Sequence, residues 1–268
     1  MKPQTAFFSL GVLSAVVYVA AAAASPPPTV WAAFDDPARS TQLATAYPQV
    51  DRVMREFVAR EHVPGAAWGI VVDGRLAHLG TTGLRDVEGA RPVQGDSVFR
   101  IASMTKSFTA MAILKLRDEG KLSLDDPVER YVPELGGLRY PTDDAPRITL
   151  RHLLTHAAGF PEDNPWGDQQ LGISEQEFTQ LMRAGIPFSN PPGVAYEYSN
   201  YGFAILGRVI ANVSGLPTTQ YIERELLRPL GMRSTTLEPG TVPASRLAQG
   251  YRWEDARWKR EAQLPDGA

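Results

Sequence analysis

Ile101-Ala102-Ser103-Met104-Thr105-Lys106-Ser107-Phe108-Thr109-Ala110-Met111-Ala112-Ile113-Leu114 (IASMTKSFTAMAIL) carries one charged residue, Lys106, in an otherwise uncharged run. Its larger apolar residues, Met104, Phe108, Met111, Ile113 and Leu114, fall nearly all round a helical wheel, which predicts a helix buried at the centre of the fold. Ser103 and Lys106 are three residues apart and share one face of the opening turn. A lone lysine in such surroundings is expected to favour its neutral form, because burial penalises an ammonium and the positive end of the helix dipole adds to that penalty. A neutral amine beside Ser103 is a general base able to take the Oγ proton and make the hydroxyl a useful nucleophile. The plainer alternative is that Ser103 caps the helix and Lys106 extends its head to water. A bare S-x-x-K does not choose between them.

Tyr198-Ser199-Asn200 is the second informative stretch. It follows Pro191-Pro192-Gly193 and precedes apolar residues at helical spacing (Phe203, Leu206, Val209, Ile210, Val213), so it sits on a loop at a helix start. Taken singly, Asn200 reads as an N-cap and Tyr198 as a packed aromatic. Taken with Ser103 and Lys106, a loop phenol is suited to relay a proton to a leaving group, and an asparagine amide to orient a substrate carbonyl.

With these residues the chain resembles the penicillin-recognising serine hydrolases, in particular the branch of class C β-lactamases, D-alanyl-D-alanine carboxypeptidases and related esterases. S-x-x-K is a signature of that superfamily, and Tyr198 and Asn200 match the Tyr-x-Asn motif of this branch. VFRIASMTKSFTAMAILKLRDEGKLSLDDPV (98–128), ITLRHLLTHAAGF (148–160) and PPGVAYEYSNYGFAILGRVI (191–210) are similar to the family throughout, and the resemblance runs from about Tyr47 nearly to the C-terminus. It implies Ser103 as nucleophile, Lys106 and Tyr198 as proton-transfer groups, Asn200 as a substrate-binding residue, a structural role for LLTHAAG, and no cofactor. The family's third motif, Lys-Thr-Gly or His-x-Gly on a late strand, does not follow Asn200; His78-Leu79-Gly80 has the letters but precedes the nucleophile. In the family that strand supplies one of two oxyanion N–H groups, the other being the nucleophile's own.

Met1 to Ala24 begins with Lys2, continues as an uncharged apolar run from Phe7, and ends in alanines before Ser25-Pro26-Pro27-Pro28, which predicts an exported chain cleaved near Ser25. An uncleaved anchor is the alternative, since about 18 apolar residues just span a bilayer; the alanines and prolines favour cleavage, so no stable membrane anchor is expected. The absence of cysteine excludes a disulfide framework. A formal charge of −3 gives no electrostatic footprint for nucleic acid.

Val50, Val53, Met54, Phe57 and Val58 predict an amphipathic helix. Asp73-Gly74 between residues 65–72 and 75–82 predicts a hairpin. Ser174 to Glu177 reads as a capping box, Thr218 to Leu227 as a helix ending before Pro229, and Ala248 to Arg260 as a hairpin returning toward the sheet. The expected fold is α+β: an antiparallel sheet flanked by helices, with a mostly helical part over 101–248 inserted between early and late strands, and Ser103 at the junction. The expected organisation is a signal peptide over 1–24, a linker over 25–46 and one serine-hydrolase domain over 47–268 that lacks its late strands and closing helix.

His152 and His156 have the i,i+4 spacing of a two-histidine metal site, but no Glu follows His152 and no third ligand is evident. Gly95-Asp96-Ser97-Val98-Phe99 lacks the last glycine of a nucleophile elbow. Asp125-Asp126 and Asp143-Asp144 read as solvated turns, and Glu162, Asp163 and Trp166 as either a pocket rim or a surface loop. The expected activity is hydrolysis of an amide, β-lactam or ester carbonyl in a small molecule or peptide, through an acyl-enzyme. The alternatives are a small-ester esterase of the same family, and a non-catalytic relative that binds peptidoglycan peptides or a protein partner.

Overall fold

The computed structural model describes residue 34 and residues 36–163 and 172–262. The expected signal peptide and Trp166 lie outside the described residues. Within the expected linker a short helix, α1 (Arg39–Ala44), forms, and Arg39 pairs with Asp73 at 2.6 Å, tying the segment to the first hairpin. Helix α2 (Tyr47–Arg60) follows as the spacing predicts, although only Val58 of its apolar stripe is buried, with Val53 and Phe57 exposed.

Strands β1 (Gly65–Val72) and β2 (Arg75–Asp86) pair antiparallel, and β3 (Arg91–Pro92) joins the far end of β2, giving the order β1-β2-β3. Asp73 and Gly74 both have positive φ, 52° and 74°. Two left-handed residues between paired strands make the tight turn whose twist matches that of the strands, and Gly74 adopts it without steric cost. Asp51 on α2 accepts hydrogen bonds from Trp68 Nε1 (2.9 Å) and bonds His78 Nε2 (2.7 Å), which fixes α2 to this hairpin. His78-Leu79-Gly80 is therefore part of an early strand and its histidine is engaged there.

The chain then leaves the sheet and becomes helical. A 3₁₀ turn (Ala102–Thr105) leads into α3 (Lys106–Asp118), followed by α4 (Leu150–Leu154), α5 (Glu175–Ala184), α6 (Asn200–Ser214) and α7 (Thr218–Ile222), the last continuing as a π turn over Glu223–Leu227. The Ser174/Glu177 capping box is formed in both directions, and a second one joins Thr149 and His152 at α4. Strands β4 (Tyr251–Glu254) and β5 (Arg257–Arg260) form the last hairpin as a two-stranded ladder of their own. It rests beside the first sheet: Gln249 N–H donates to Arg85 O (2.7 Å) and Trp258 Nε1 to His62 O (2.8 Å).

The main core lies in the helical part, between Ala112 and Leu227. Here the structure corrects the expectation for α3. Only Ala112, Ile113 and Leu116 of α3 are fully buried, while Met104 is 63% and Met111 40% exposed. The helix buried nearly all round is α6, through Tyr201, Ile205, Leu206, Val209 and Ile210. α3 packs one face against α6 and keeps the other open. Each fully buried aliphatic or aromatic side chain of that interface contributes roughly 1.5–3 kcal/mol, so α6 is the fixed element on which its neighbours are positioned.

Candidate active site

Ser103 and Lys106 are placed by the junction of the 3₁₀ turn and α3. Ala102, immediately before Ser103, has φ +45°, a left-handed conformation rare for a residue with a side chain. Strained backbone of this kind persists only where its surroundings hold it, and it concentrates at functional positions. It turns the chain sharply into α3, and Ser103 is left solvent-accessible at the turn.

Tyr198 and Asn200 arrive from the opposite side, at the start of α6. Tyr198 Oη lies 2.7 Å from Ser103 Oγ. Lys106 Nζ donates to Ser103 Oγ at 3.3 Å and to Asn200 Oδ1 at 2.6 Å, and it stands 4.8 Å from the centroid of the Tyr198 ring. The four residues singled out in the sequence thus form one connected cluster. Ser199, not Asn200, is the N-cap of α6, its Oγ accepting from Gly202 N at 3.0 Å. Asn200 is free of that duty and holds Lys106.

The loop carrying Tyr198 is aligned by the segment after α4. Gly193 N–H donates to Ala157 O and Glu197 N–H to His156 O, both at 2.8 Å, and Ser189 N–H to Gly159 O at 2.9 Å. Gly159 has φ +82°, and a Cβ there would stand 2.0 Å from Asn190 O, so only glycine allows the two segments to meet. This is the structural work of the LLTHAAG stretch.

His152 and His156 do not form the paired-histidine face that their spacing suggests. His152 lies on α4, where its Nδ1 accepts from Thr149 N (3.3 Å), whereas His156 lies beyond the helix with φ +55°. Among the described residues no group of three or more His, Asp or Glu is arranged to hold a metal ion. His156 stacks on Tyr198, ring centroids 4.6 Å apart and planes 26° from parallel, and accepts from Ser199 N at 3.0 Å. Burial lowers its pKa from the ordinary imidazole value, Lys106 adds to that, and Asp163 opposes it.

Asp163 is a buried neighbour of this cluster whose placement the sequence did not reveal. It is neither rim nor surface loop: at 7% exposure its carboxylate accepts from Asn200 N (2.6 Å), Tyr201 N (2.8 Å) and Ser199 Oγ (3.1 Å), at the positive end of α6. Its partners lie 36 to 38 residues away, and no local pattern announces them. Asp125 and Asp126 are likewise engaged, the first with Arg151 at 2.7 Å, the second with Tyr131 and Arg130.

A serine bridged to a lysine and a tyrosine, at the edge of a helical body that leaves an antiparallel sheet, is the build of the penicillin-recognising serine hydrolases. The chain belongs to the Beta-lactamase family, whose profile matches residues 50–268. It is 38% identical over 184 residues to the D-alanyl-D-alanine-carboxypeptidase/endopeptidase AmpH of Escherichia coli K12, covering 66% of this chain and 46% of that protein. It therefore spans under half the length of that relative. Among solved structures it is similar to an octameric penicillin-binding protein homologue from Pyrococcus abyssi (TM-score 0.68, 30% identity, 80% of this chain and 50% of that one). It is also similar to EstCE1, a hydrolase with promiscuous acyltransferase activity (TM-score 0.71, 25% identity, 85% and 63%). Among the described residues no helix is long and apolar enough to cross a membrane.

Proposed function

We propose that the protein is an exported serine hydrolase working through an acyl-enzyme, with residues 47–268 in its hydrolase domain. The observation that carries this reading is Ser103 Oγ within hydrogen-bond reach of both Tyr198 Oη (2.7 Å) and Lys106 Nζ (3.3 Å). A hydroxyl with two proton-transfer groups in reach meets the first geometric requirement for nucleophilic catalysis.

In the proposed cycle Ser103 Oγ attacks the substrate carbonyl carbon as its proton passes to the Lys106/Tyr198 pair. The Ser103 backbone N–H contributes to holding the oxyanion. Tyr198 Oη then delivers a proton to the leaving amine or alcohol as the C–N or C–O bond breaks, leaving the acyl group on Oγ. Water attacks the ester in the second half, gives its proton to the same pair, and the carboxylic acid leaves with Ser103 reprotonated. Asn200, held by Lys106, orients both that lysine and the substrate carbonyl. Every proton taken up is returned, and no cofactor is required.

The preferred substrates are amides of the D-alanyl-D-alanine peptide and β-lactam class, supported by the likeness to the carboxypeptidase/endopeptidase. A small-ester substrate is the second reading, supported by the likeness to EstCE1 at a TM-score of 0.71. Intact-mass measurement after incubation with a fluorophosphonate or a penicillin tests both. Stoichiometric adducts at Ser103 are expected; a penicillin adduct favours the amide class, and a fluorophosphonate adduct alone favours esters. No adduct with either would overturn the hydrolase reading and favour a binding protein.

A further inference from the structure

Ser199, the middle residue of the Tyr-x-Asn motif, is 3% exposed, and its polar groups are held from two directions. Its N–H donates to His156 Nδ1 at 3.0 Å, and its Oγ donates to Asp163 Oδ2 at 3.1 Å while accepting from Gly202 N. The residues on either side are held by the same two groups. His156 stacks on the Tyr198 ring, and Asp163 Oδ1 accepts from Asn200 N at 2.6 Å. A loop entering a helix ordinarily has several orientations open to it. This one is clamped at three consecutive residues, and the outer two carry the groups that meet Ser103 and Lys106.

We propose that Asp163 and His156 are positioning residues which, acting through Ser199, fix Tyr198 Oη on Ser103 and Asn200 Oδ1 on Lys106. The proposal rests on the reading of Ser103 as nucleophile. A displacement of about 1 Å in a catalytic group can cost on the order of a hundredfold in rate, which sets the scale of what such a clamp protects. Asp163 supplies a fixed negative charge to the first N–H groups of α6, which have no partners within the helix. His156 supplies a flat platform and one acceptor nitrogen.

The bond from Ser199 N–H assigns the His156 tautomer: Nδ1 is the acceptor and the ring proton is on Nε2. A second proton on Nδ1 would set N–H against N–H and release Ser199. The ionisable groups around this imidazole are Lys106 on α3 and Asp163 after α4, with the Tyr196 and Tyr198 phenols on the facing loop. Glu197 of that loop is engaged with Ser189 and Asn190. Burial acts against protonation, as does Lys106 whenever it holds its own proton, which keeps the acceptor available near neutral pH. Acidification should therefore release the clamp as His156 takes up its second proton, below the ordinary imidazole range.

The test uses the full chain and the rate of Ser103 phosphonylation by a fluorophosphonate, in which an Oγ–P bond forms as fluoride leaves, as a function of pH. His156→Phe keeps a ring against Tyr198 and removes the acceptor; Asp163→Asn removes one acceptor oxygen and turns an amide N–H toward the helix start. Both are expected to slow this labelling about 10- to 100-fold at neutral pH. The wild type should show an acid limb below the ordinary imidazole range that His156→Phe lacks, which a merely structural role would not produce. ¹⁵N shifts of labelled histidine in the unmodified chain should show an unprotonated Nδ1 at His156, an observation independent of whether any variant folds. A protonated Nδ1, an acid limb unchanged in His156→Phe, or wild-type rates in both variants would overturn the positioning role while leaving the hydrolase intact. A wild-type chain that takes no label would overturn the hydrolase reading, and the positioning role with it.

Discussion

Tyr198 Oη sits 2.7 Å from Ser103 Oγ across 95 residues of chain. Neither residue is held there by the other. Ser103 is fixed by the left-handed turn at Ala102 and by α3, and Tyr198 by the junction of α6 with the 156–160 segment. The contact is therefore a product of how α3 packs on α6, and a catalytic role for either residue depends on that packing.

Ser103→Ala is expected to abolish acylation, and Lys106→Ala to come close, because losing a nucleophile or its base can each cost about a million-fold when they act as a unit. Lys106→Arg should be nearly as damaging, since a guanidinium does not give up its proton. Tyr198→Phe should be milder and slow proton delivery to the leaving group. Acylation and turnover rates of the four variants check this. Near-normal turnover in Lys106→Arg would remove the lysine as base, and full activity in Tyr198→Phe would remove the phenol.

Asn200→Asp is a nearly isosteric change that places a carboxylate on Lys106 Nζ, which now donates to Asn200 Oδ1 at 2.6 Å. An opposite charge at that distance favours the ammonium. Acylation should fall by at least about tenfold at neutral pH, since general-base assistance is worth about a hundredfold or more. Unchanged rates in this variant would mean that Lys106 does not act as a base.

The elements were legible in the sequence where a local signal made them. Asp73-Gly74 marked the first hairpin, Ser174 to Glu177 marked the start of α5, and S-x-x-K with Tyr-x-Asn marked all four residues that meet in the cluster. The one-sided burial of α3 is not legible in its sequence, because composition reports apolarity and not which neighbour is present. Met104 and Met111 are as apolar as Ile113 but face outward. Asp163 was illegible for a different reason. Its role is set by a helix start more than 30 residues away, and a buried carboxylate that satisfies three donors has the same local sequence as one in a surface loop. The i,i+4 spacing of His152 and His156 does not become one helical face, because the helix ends at Leu154.

Gly159→Ala should destabilise the protein and disturb the site together. A left-handed conformation costs an L-residue about 1–2 kcal/mol. At Gly159 the added Cβ would also stand 2.0 Å from the Asn190 carbonyl oxygen, so the backbone must move. The two segments that align Tyr198 would separate. A lower melting temperature and slower acylation are both expected. A variant with unchanged melting temperature would show that this approach of the two segments is not needed.

The last expectation concerns acid stability. Burial lowers the pKa of both His152 and His156 from the ordinary 6.5, so the folded chain binds these protons less readily than the unfolded chain does. As pH falls through about 6.5 the unfolded state takes up protons that the folded state excludes, and stability declines with pH. Above that value the contribution is fully present. Carboxylates act in a lower window: Asp51, held down chiefly by its bond to His78, and Asp125, held down by Arg151, lose their contribution only as pH falls below the ordinary 3.8 toward their depressed values. Melting temperatures measured from pH 7.5 to 5 should therefore fall through the upper window while these carboxylates remain ionised. In a His152→Gln/His156→Gln variant the absolute melting temperature will drop, because the Thr149 and Ser199 contacts are altered, but its dependence on pH across that window should flatten. A wild-type melting temperature that stays level down to pH 5 would contradict the burial of these two rings in their neutral form.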